Sequence, residues 1–245
     1  DCANCAAKME NAISKLDDVE NVSISFMTTK MVFHGSDIEK ICDYYHLNKE
    51  DIVKFGANVN PLGLSASVKR AIAKNVDLFS SYPDRDYVSL RNTISEYCRI
   101  PAEFILPGNG SSELISLLIQ ERAPKHTLIL GPTYSEYSRE LSFSGSTQEY
   151  YHLREERNFT LDVKDLCKTL ENGYDFLILC NPNNPTGISI DREFLFRVLR
   201  VCREMDILLV VDECFLDFME EPGRYTLKAQ LSRYHNLFLL KAFTK

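Results

Sequence analysis

Phe176-Leu177-Ile178-Leu179-Cys180-Asn181-Pro182-Asn183-Asn184-Pro185-Thr186-Gly187 joins an unbroken apolar run to a stiff turn. The apolar run has no polar alternation, which is typical of a strand covered on both faces in a parallel sheet. Two prolines and three asparagines then fix the turn. Because open parallel sheets bind ligands at the carboxyl ends of their strands, this stretch predicts an α/β fold with amide side chains at the ligand-binding edge.

Residues 34–245 repeat this alternation of apolar runs and helical patterns, which predicts a mainly parallel sheet with helices on both faces. The helical patterns include Ser112 to Arg122 and Arg192 to Met205. The other predicted strands are Phe104 to Leu106, Thr127 to Leu130, Ile207 to Val211 and Leu237 to Leu240.

Residues 1–33 have a different organisation and form a separate, smaller segment. Met9, Ile13 and Leu16 are spaced as one stripe of an amphipathic helix. Val22, Ile24 and Phe26 alternate with polar residues, as in a half-buried strand. A turn at residues 28–30 leads to Met31-Val32-Phe33, which begins a returning strand.

Composition and charge narrow the class of protein. The 245 residues include 44% hydrophobic ones, which argues against a disordered chain. The 28 basic residues against 35 acidic ones give a net charge of −7, so we expect no binding to nucleic acid or to an anionic membrane surface. No apolar run approaches the roughly 20 residues of a membrane span. No secretory leader is evident, so we expect eight reduced cysteines and a cytoplasmic location.

Three further motifs carry possible chemistry. Gly108-Asn109-Gly110-Ser111-Ser112 opens a helix, and could cradle a phosphate or be a turn capped by serine. Val210-Val211-Asp212-Glu213 places carboxylates at a strand end, but no Walker-type lysine loop accompanies them, which argues against an ATPase. Lys245 follows the last apolar run, Leu237 to Leu240, and could be merely solvated.

In this order the motifs resemble the class I/II aminotransferase superfamily, the fold-type I enzymes that use pyridoxal 5'-phosphate. The resemblance covers residues 34–245 and includes Ser81-Tyr82-Pro83-Asp84 and Gly131-Pro132-Thr133-Tyr134-Ser135-Glu136-Tyr137. It implies the large domain of that fold and an amino-acid substrate. The family chain continues past its lysine into a small domain with two substrate-binding arginines, so we expect that domain to be absent and turnover by this chain to be doubtful.

The resemblance also implies roles for single residues. Lys245 would bind the cofactor covalently and later move protons as a general base. Asp212 would pair with the pyridinium nitrogen, Asn184 would hydrogen-bond the ring's phenolic oxygen, and Tyr134 would stack on the ring. Tyr82 would reach the cofactor of a neighbouring subunit, which implies a homodimer. The cofactor phosphate would be held by Gly110, Ser111 and Ser112.

Two subgroups of the superfamily compete. His34-Gly35-Ser36-Asp37 and Asn58-Val59-Asn60-Pro61-Leu62-Gly63 resemble threonine-phosphate decarboxylases of cobalamin biosynthesis, with His34 and Asn60 implied as contacts of the substrate phosphate. Histidinol-phosphate aminotransferases are the alternative. They usually carry a tyrosine three residues after the pyridine-pairing aspartate, and this chain has Phe215 there.

The N-terminal segment resembles heavy-metal-associated domains. Cys2-Ala3-Asn4-Cys5 matches their Cys-x-x-Cys pattern, which implies that Cys2 and Cys5 bind a soft metal ion such as copper, zinc or cadmium. Only about half of a βαββαβ module precedes residue 34, so we expect a junction near residues 33–34. Two functions stay open: a pyridoxal-phosphate enzyme, either decarboxylase or transaminase, or a soft-metal-binding module with an inactive passenger domain.

Overall fold

A computed structural model describes residues 19–25, 30–35, 38–52, 60 and 62–243. The chain divides into two compact units, Asp1–Leu64 and Ser65–Lys245. The residues predicted as a helix around Met9, Ile13 and Leu16 lie outside the described ranges.

The smaller unit contains an antiparallel strand pair. Strand β1 (Val19–Ser25) pairs with β2 (Lys30–Gly35), so the predicted returning strand is confirmed. The register shifts by one residue between Val19 and Asn21. Helix α1 (Ile38–Tyr45) and a 3₁₀ turn (Lys49–Asp51) follow.

The larger unit is built on a five-stranded sheet in which every neighbouring pair is parallel. The strands are β3 (His126–Gly131), β4 (Thr147–His152), β5 (Phe176–Cys180), β6 (Leu208–Asp212) and β7 (Leu237–Leu240). Their order in the sheet is β4-β3-β5-β6-β7.

Six helices and seven 3₁₀ turns accompany this sheet among the described residues. The helices are α2 (Ala66–Lys74), α3 (Val88–Cys98), α4 (Ser111–Arg122), α5 (Glu136–Ser144), α6 (Val163–Thr169) and α7 (Arg192–Glu204). The 3₁₀ turns are Val76–Ser80, Ala102–Phe104, Glu155–Arg157, Leu170–Asn172, Leu216–Phe218, Pro222–Arg224 and Lys228–Gln230.

The central strands are buried on both faces, because side chains alternate across a strand and helices cover both sides. Leu177 and Leu179 of β5 pack in one core cluster with residues of α6 and α7. Phe176 and Ile178 of the same strand pack in the other cluster, with residues of α4 and α5. The prediction of an α/β unit with helices on both faces is therefore confirmed.

One predicted strand is wrong, and one strand of the sheet was not predicted. Phe104 to Leu106 is not a strand: a 3₁₀ turn ends at Phe104, and both Phe104 and Leu106 are exposed. The run is three residues long between Pro101 and Pro107, and proline cannot donate to a sheet ladder. Conversely, β4 had no apolar signal because it is a polar, mostly exposed edge strand.

Among the described residues, no helix has the length and apolarity needed to cross a bilayer. The six cysteines among these residues are all free thiols.

Candidate active site at the carboxyl edge of the parallel sheet

Asp212 ends the central strand β6 and lies buried, with 4% of its surface exposed. The Tyr137 hydroxyl donates a hydrogen bond of 2.6 Å to Asp212 Oδ2, and the Cys214 backbone N–H donates one of 2.9 Å to Oδ1. Burying a carboxylate is costly unless its oxygens are hydrogen-bonded, and here both oxygens have a donor. The site therefore contains a carboxylate held in a fixed orientation.

The groups around Asp212 stay neutral. Burial, followed by the charge of Asp212, raises the pKa of the Tyr137 phenol well above its usual range, so Tyr137 remains a hydrogen-bond donor. The same two causes raise the pKa of the Cys180 thiol to about 12. They also raise that of the Cys214 thiol. The carboxylate consequently faces a phenol and two thiols rather than a cation among the described residues.

The N-terminus of α4 lies next to this carboxylate. The Ser111 hydroxyl, at the first residue of the helix, lies close enough to the Cys214 thiol, two residues after Asp212, to oppose the rise in the pKa of that thiol. Gly110, just before the helix, has φ +89° and open space where a side chain would begin. Among the described residues, no side chain caps this helix start at Gly110, so its first N–H groups can bind an anion. The Asn109 N–H, just before Gly110, donates to Glu113 Oε2.

The three asparagines of the turn after β5 differ in burial and in hydrogen bonding. Asn181 is fully buried and bonds Ile190 and Tyr225, and Asn183 is buried and bonds Pro132 and Thr186. Asn184 is half-buried, and its side chain has no hydrogen-bond partner among the described residues. Of the three amides, Asn184 is the one whose side chain makes no hydrogen bond to another described residue.

Tyr134 follows β3 at the same edge of the sheet. Its ring meets the edge of the Tyr137 ring, with centroids 5.6 Å apart and an angle of 83°. Tyr137 therefore contacts Tyr134 with its ring and Asp212 with its hydroxyl. No role was predicted for Tyr137 from the sequence, although it lies three residues after Tyr134, in the first turn of α5.

Glu213 is a second buried carboxyl group, 3% exposed, that the sequence analysis did not interpret. It accepts hydrogen bonds from the Thr226 hydroxyl (2.9 Å) and the Leu227 N–H (3.3 Å). Burial raises its pKa to about 7, although these donors and two lysines, Lys241 and Lys228, act in the opposite direction. Glu213 thus ties the 226–227 turn to the end of β6.

The other predicted residues fall in both units or outside the described ranges. Tyr82 belongs to the larger unit and is fully exposed. His34 lies in β2 of the smaller unit, and Asn60, also in that unit, accepts a hydrogen bond from the Leu62 N–H at 2.9 Å. Ser112 is exposed on the first turn of α4. Lys245, Cys2 and Cys5 lie outside the described residues.

The family model for class I and II aminotransferases matches residues 50–245. The chain therefore belongs to this family, whose members are pyridoxal-phosphate-dependent enzymes. The family model for the heavy-metal-associated domain matches residues 1–54, a range that includes His34.

Two curated relatives match most of this chain. The chain is 34% identical to threonine-phosphate decarboxylase from Salmonella typhimurium over 212 residues, which are 86% of this chain and 57% of the relative. It is 31% identical to the adenosylcobalamin biosynthesis bifunctional protein CobDQ from Leptospira interrogans, over 86% of this chain and 24% of the relative. The chain thus spans about half, or less, of the length of these curated relatives.

The solved structures agree on the fold. The crystal structure of histidinol-phosphate aminotransferase from Clostridium acetobutylicum superposes with a TM-score of 0.71 at 30% identity. The match covers 79% of this chain and 56% of that one. The larger unit therefore has the fold-type I architecture of pyridoxal-phosphate enzymes.

The described residues fit pyridoxal phosphate by their own chemistry. A buried carboxylate suits a protonated ring nitrogen, an unpartnered amide suits a phenolic oxygen, and an uncapped helix start beside Gly110 suits a phosphate. Among the described residues, no group of three His, Cys, Asp or Glu side chains could hold a metal ion.

We predict that Glu213 makes the stability of the protein fall with rising pH. The folded state binds a proton on Glu213 up to pH about 7, whereas the unfolded chain loses it near 4.5. Between these values Glu213 should lower the free energy of unfolding by up to about 1.4 kcal/mol per pH unit. Glu213→Gln, which keeps an acceptor oxygen, should remove this fall in urea denaturation at pH 5 and pH 7.5.

The exposed Glu121 provides the control. Glu121→Gln should leave the pH slope of the wild-type protein intact. An unchanged slope in Glu213→Gln would show that this carboxyl group does not titrate differently on folding.

Proposed function

We propose that this chain is the cofactor-binding part of a pyridoxal-phosphate-dependent enzyme that acts on a phosphorylated amino acid, as a threonine-phosphate decarboxylase does. The observation that carries the proposal is the set of groups at one sheet edge: the hydrogen-bonded Asp212, the free amide of Asn184 and the uncapped start of α4. Each group matches a different part of the cofactor.

The residues of the chain would act as follows. The N–H groups at the start of α4, with Gly110, Ser111 and Ser112, bind the phosphate. Asp212 holds a negative charge at the ring nitrogen, and Asn184 donates to the phenolic oxygen. Tyr134 covers one face of the ring and excludes water from it. Bound pyridoxal phosphate supplies an electron sink for the electrons released when a bond at the substrate's α-carbon breaks.

Lys245 is the proposed attachment point of the cofactor and the base that moves the α-proton. In the sequence it comes shortly after β7, the strand that neighbours β6 in the sheet. A lysine amine can bond a carbonyl carbon and can also carry a proton, which suits both roles.

The decarboxylase assignment rests on how the substrate would be oriented. The bond to the departing carboxylate must align with the π system of the cofactor ring, and an anchor at the far end of the substrate could set that angle. We propose His34 and Asn60 as this phosphate anchor. Asn60 Oδ1 already accepts from the Leu62 N–H, which leaves its amide N–H groups as the donors for a phosphate.

Histidinol-phosphate aminotransferase activity is the second candidate, and the likeness to a solved structure of that enzyme favours it. Phe215 argues in the other direction. A tyrosine at that position could donate to the ring oxygen of the cofactor, and phenylalanine cannot.

We further propose a cytoplasmic homodimer. The free thiols of the six described cysteines suit a reducing compartment. Tyr82 is fully exposed, and the neighbouring apolar side chains of Leu78, Phe79 and Val88 are exposed as well. Exposed apolar patches of this kind mark contact surfaces.

The heavy-metal-associated match favours a second, separate function for the N-terminal residues. We propose that Cys2 and Cys5 bind one soft cation, such as copper, zinc or cadmium. Two thiolates separated by two residues are soft ligands that select such ions.

The first prediction is that borohydride fixes pyridoxal phosphate to Lys245. The wild-type protein should show the visible band of the bound cofactor, lose it on reduction and carry the label on the Lys245 peptide. Lys245→Ala should remain unlabelled. Lys241→Arg is the matched control: this neighbouring lysine bonds Asp217 at 2.7 Å, and the variant keeps that ion pair. A label that persists in Lys245→Ala would reject the assignment.

The second prediction concerns the substrate. In a chain extended to the full length of the family, threonine phosphate should release carbon dioxide, whereas histidinol phosphate with 2-oxoglutarate should give no glutamate. Asn60→Asp keeps the acceptor for Leu62 but loses the donors and adds a negative charge, so KM for threonine phosphate should rise about 10- to 100-fold. Glutamate formation without carbon dioxide would instead establish the aminotransferase.

The third prediction is that one soft metal ion binds per chain. Titration with Zn(II) or Cu(I) should give a single high-affinity site that is lost in Cys2→Ser and in Cys5→Ser. Cys42→Ser is the control, because Cys42 is a free thiol in the same unit. Binding that survives both N-terminal changes would exclude these two cysteines as ligands.

A further inference from the structure

Asn183 connects two loops that carry different parts of the proposed site. It follows β5 and directly precedes Asn184. Its side-chain amide donates a hydrogen bond of 2.9 Å to the carbonyl of Pro132, which lies in the loop after β3. Tyr134 is two residues further along that loop. One amide group therefore bridges the loop of Tyr134 and the loop of Asn184.

The geometry of Asn183 leaves it little freedom. The residue is 6% exposed, and its backbone N–H and C=O bond Ile188 (2.8 Å) and Gly187 (2.7 Å) within its own turn. The same amide nitrogen also donates to Thr186 Oγ1 at 2.9 Å. Because a proline carbonyl can only accept, the nitrogen end of the amide must face Pro132.

The other end of this side chain is unsatisfied. Asn183 Oδ1 is buried and has no hydrogen-bond partner among the described residues. An unpaired buried acceptor is costly, so Asn183 is not the side chain that stability alone would favour here. What the amide provides is a pair of donors, one for each loop.

We infer that Asn183 is a positioning residue that fixes the ring of Tyr134 relative to the amide of Asn184, and so the placement of the cofactor ring that both would contact. This inference rests on the proposed function. Asn183 does not touch the ring in this assignment. It acts through its two neighbours, one on the face of the ring and one at its edge.

A double-mutant cycle tests this role through cofactor affinity, without a turnover assay. Asn183→Ala should weaken binding of pyridoxal phosphate about tenfold, the size expected for a lost hydrogen bond in a positioning network. In a Tyr134→Ala background the same change should cost less than about twofold, because the ring it positions is gone. The visible circular dichroism of the bound cofactor should change in Asn183→Ala as well, since it reports the tilt of the ring.

Two further variants separate positioning from general stability. Thr186→Val removes the partner of Asn183 within its turn, together with the 3.4 Å hydrogen bond from the Ile188 N–H. It keeps the bridge to Pro132, so cofactor affinity should stay within about threefold of wild type. Asn183→Ser keeps a donor of shorter reach and replaces the alanine variant in the cycle if that variant does not fold.

The outcomes are distinct. An equal loss of affinity in the wild-type and Tyr134→Ala backgrounds would overturn the positioning role alone. A wild-type protein without saturable binding of pyridoxal phosphate would overturn the proposed function and this inference with it.

Discussion

The buried carboxylate of Asp212 is the constraint around which the site is organised. A carboxylate with so little exposure is tolerable only if donors replace the water it loses, and Tyr137 and Cys214 supply one donor to each oxygen. Tyr137 comes from α5 and Cys214 from the loop after β6. The two donors that replace water around Asp212 therefore fix α5 and the loop after β6 relative to the end of β6. That loop also lies beside Ser111 of α4.

The adjacent carboxyl groups at the end of β6, those of Asp212 and Glu213, have different surroundings. The Asp212 carboxylate receives a short hydrogen bond from Tyr137 on the side of the α4 and α5 core cluster. Glu213 bonds Thr226 and Leu227, and burial raises its pKa to about 7. Two neighbouring carboxyl groups with different surroundings can serve different purposes, one as a fixed charge and one as a group that is easily protonated.

Much of the fold could be predicted from the sequence because burial on both faces leaves a simple signal. The runs that became β3, β5, β6 and β7 are continuously apolar, and their positions were predicted within a few residues. The edge strand β4 was missed because one of its sides pairs with no strand and its polar residues face water. Phe104 to Leu106 was wrongly predicted as a strand because apolar character alone does not supply a sheet partner.

In the site, too, residues in local sequence motifs could be predicted, whereas residues that act through contacts distant in sequence could not. Asp212 and Asn184 lie in short motifs at strand ends, so the sequence singles them out as candidates, and their proposed roles come from the resemblance to a known family. The roles of Tyr137 and Asn183 depend on contacts across 75 and 51 residues of chain, to Asp212 and Pro132, and no local pattern encodes such pairs. What the sequence names is therefore the set of groups that would meet a ligand. What the folded chain adds is the buried hydrogen-bonding groups that hold them, and these fix the distances on which any chemistry at this edge depends.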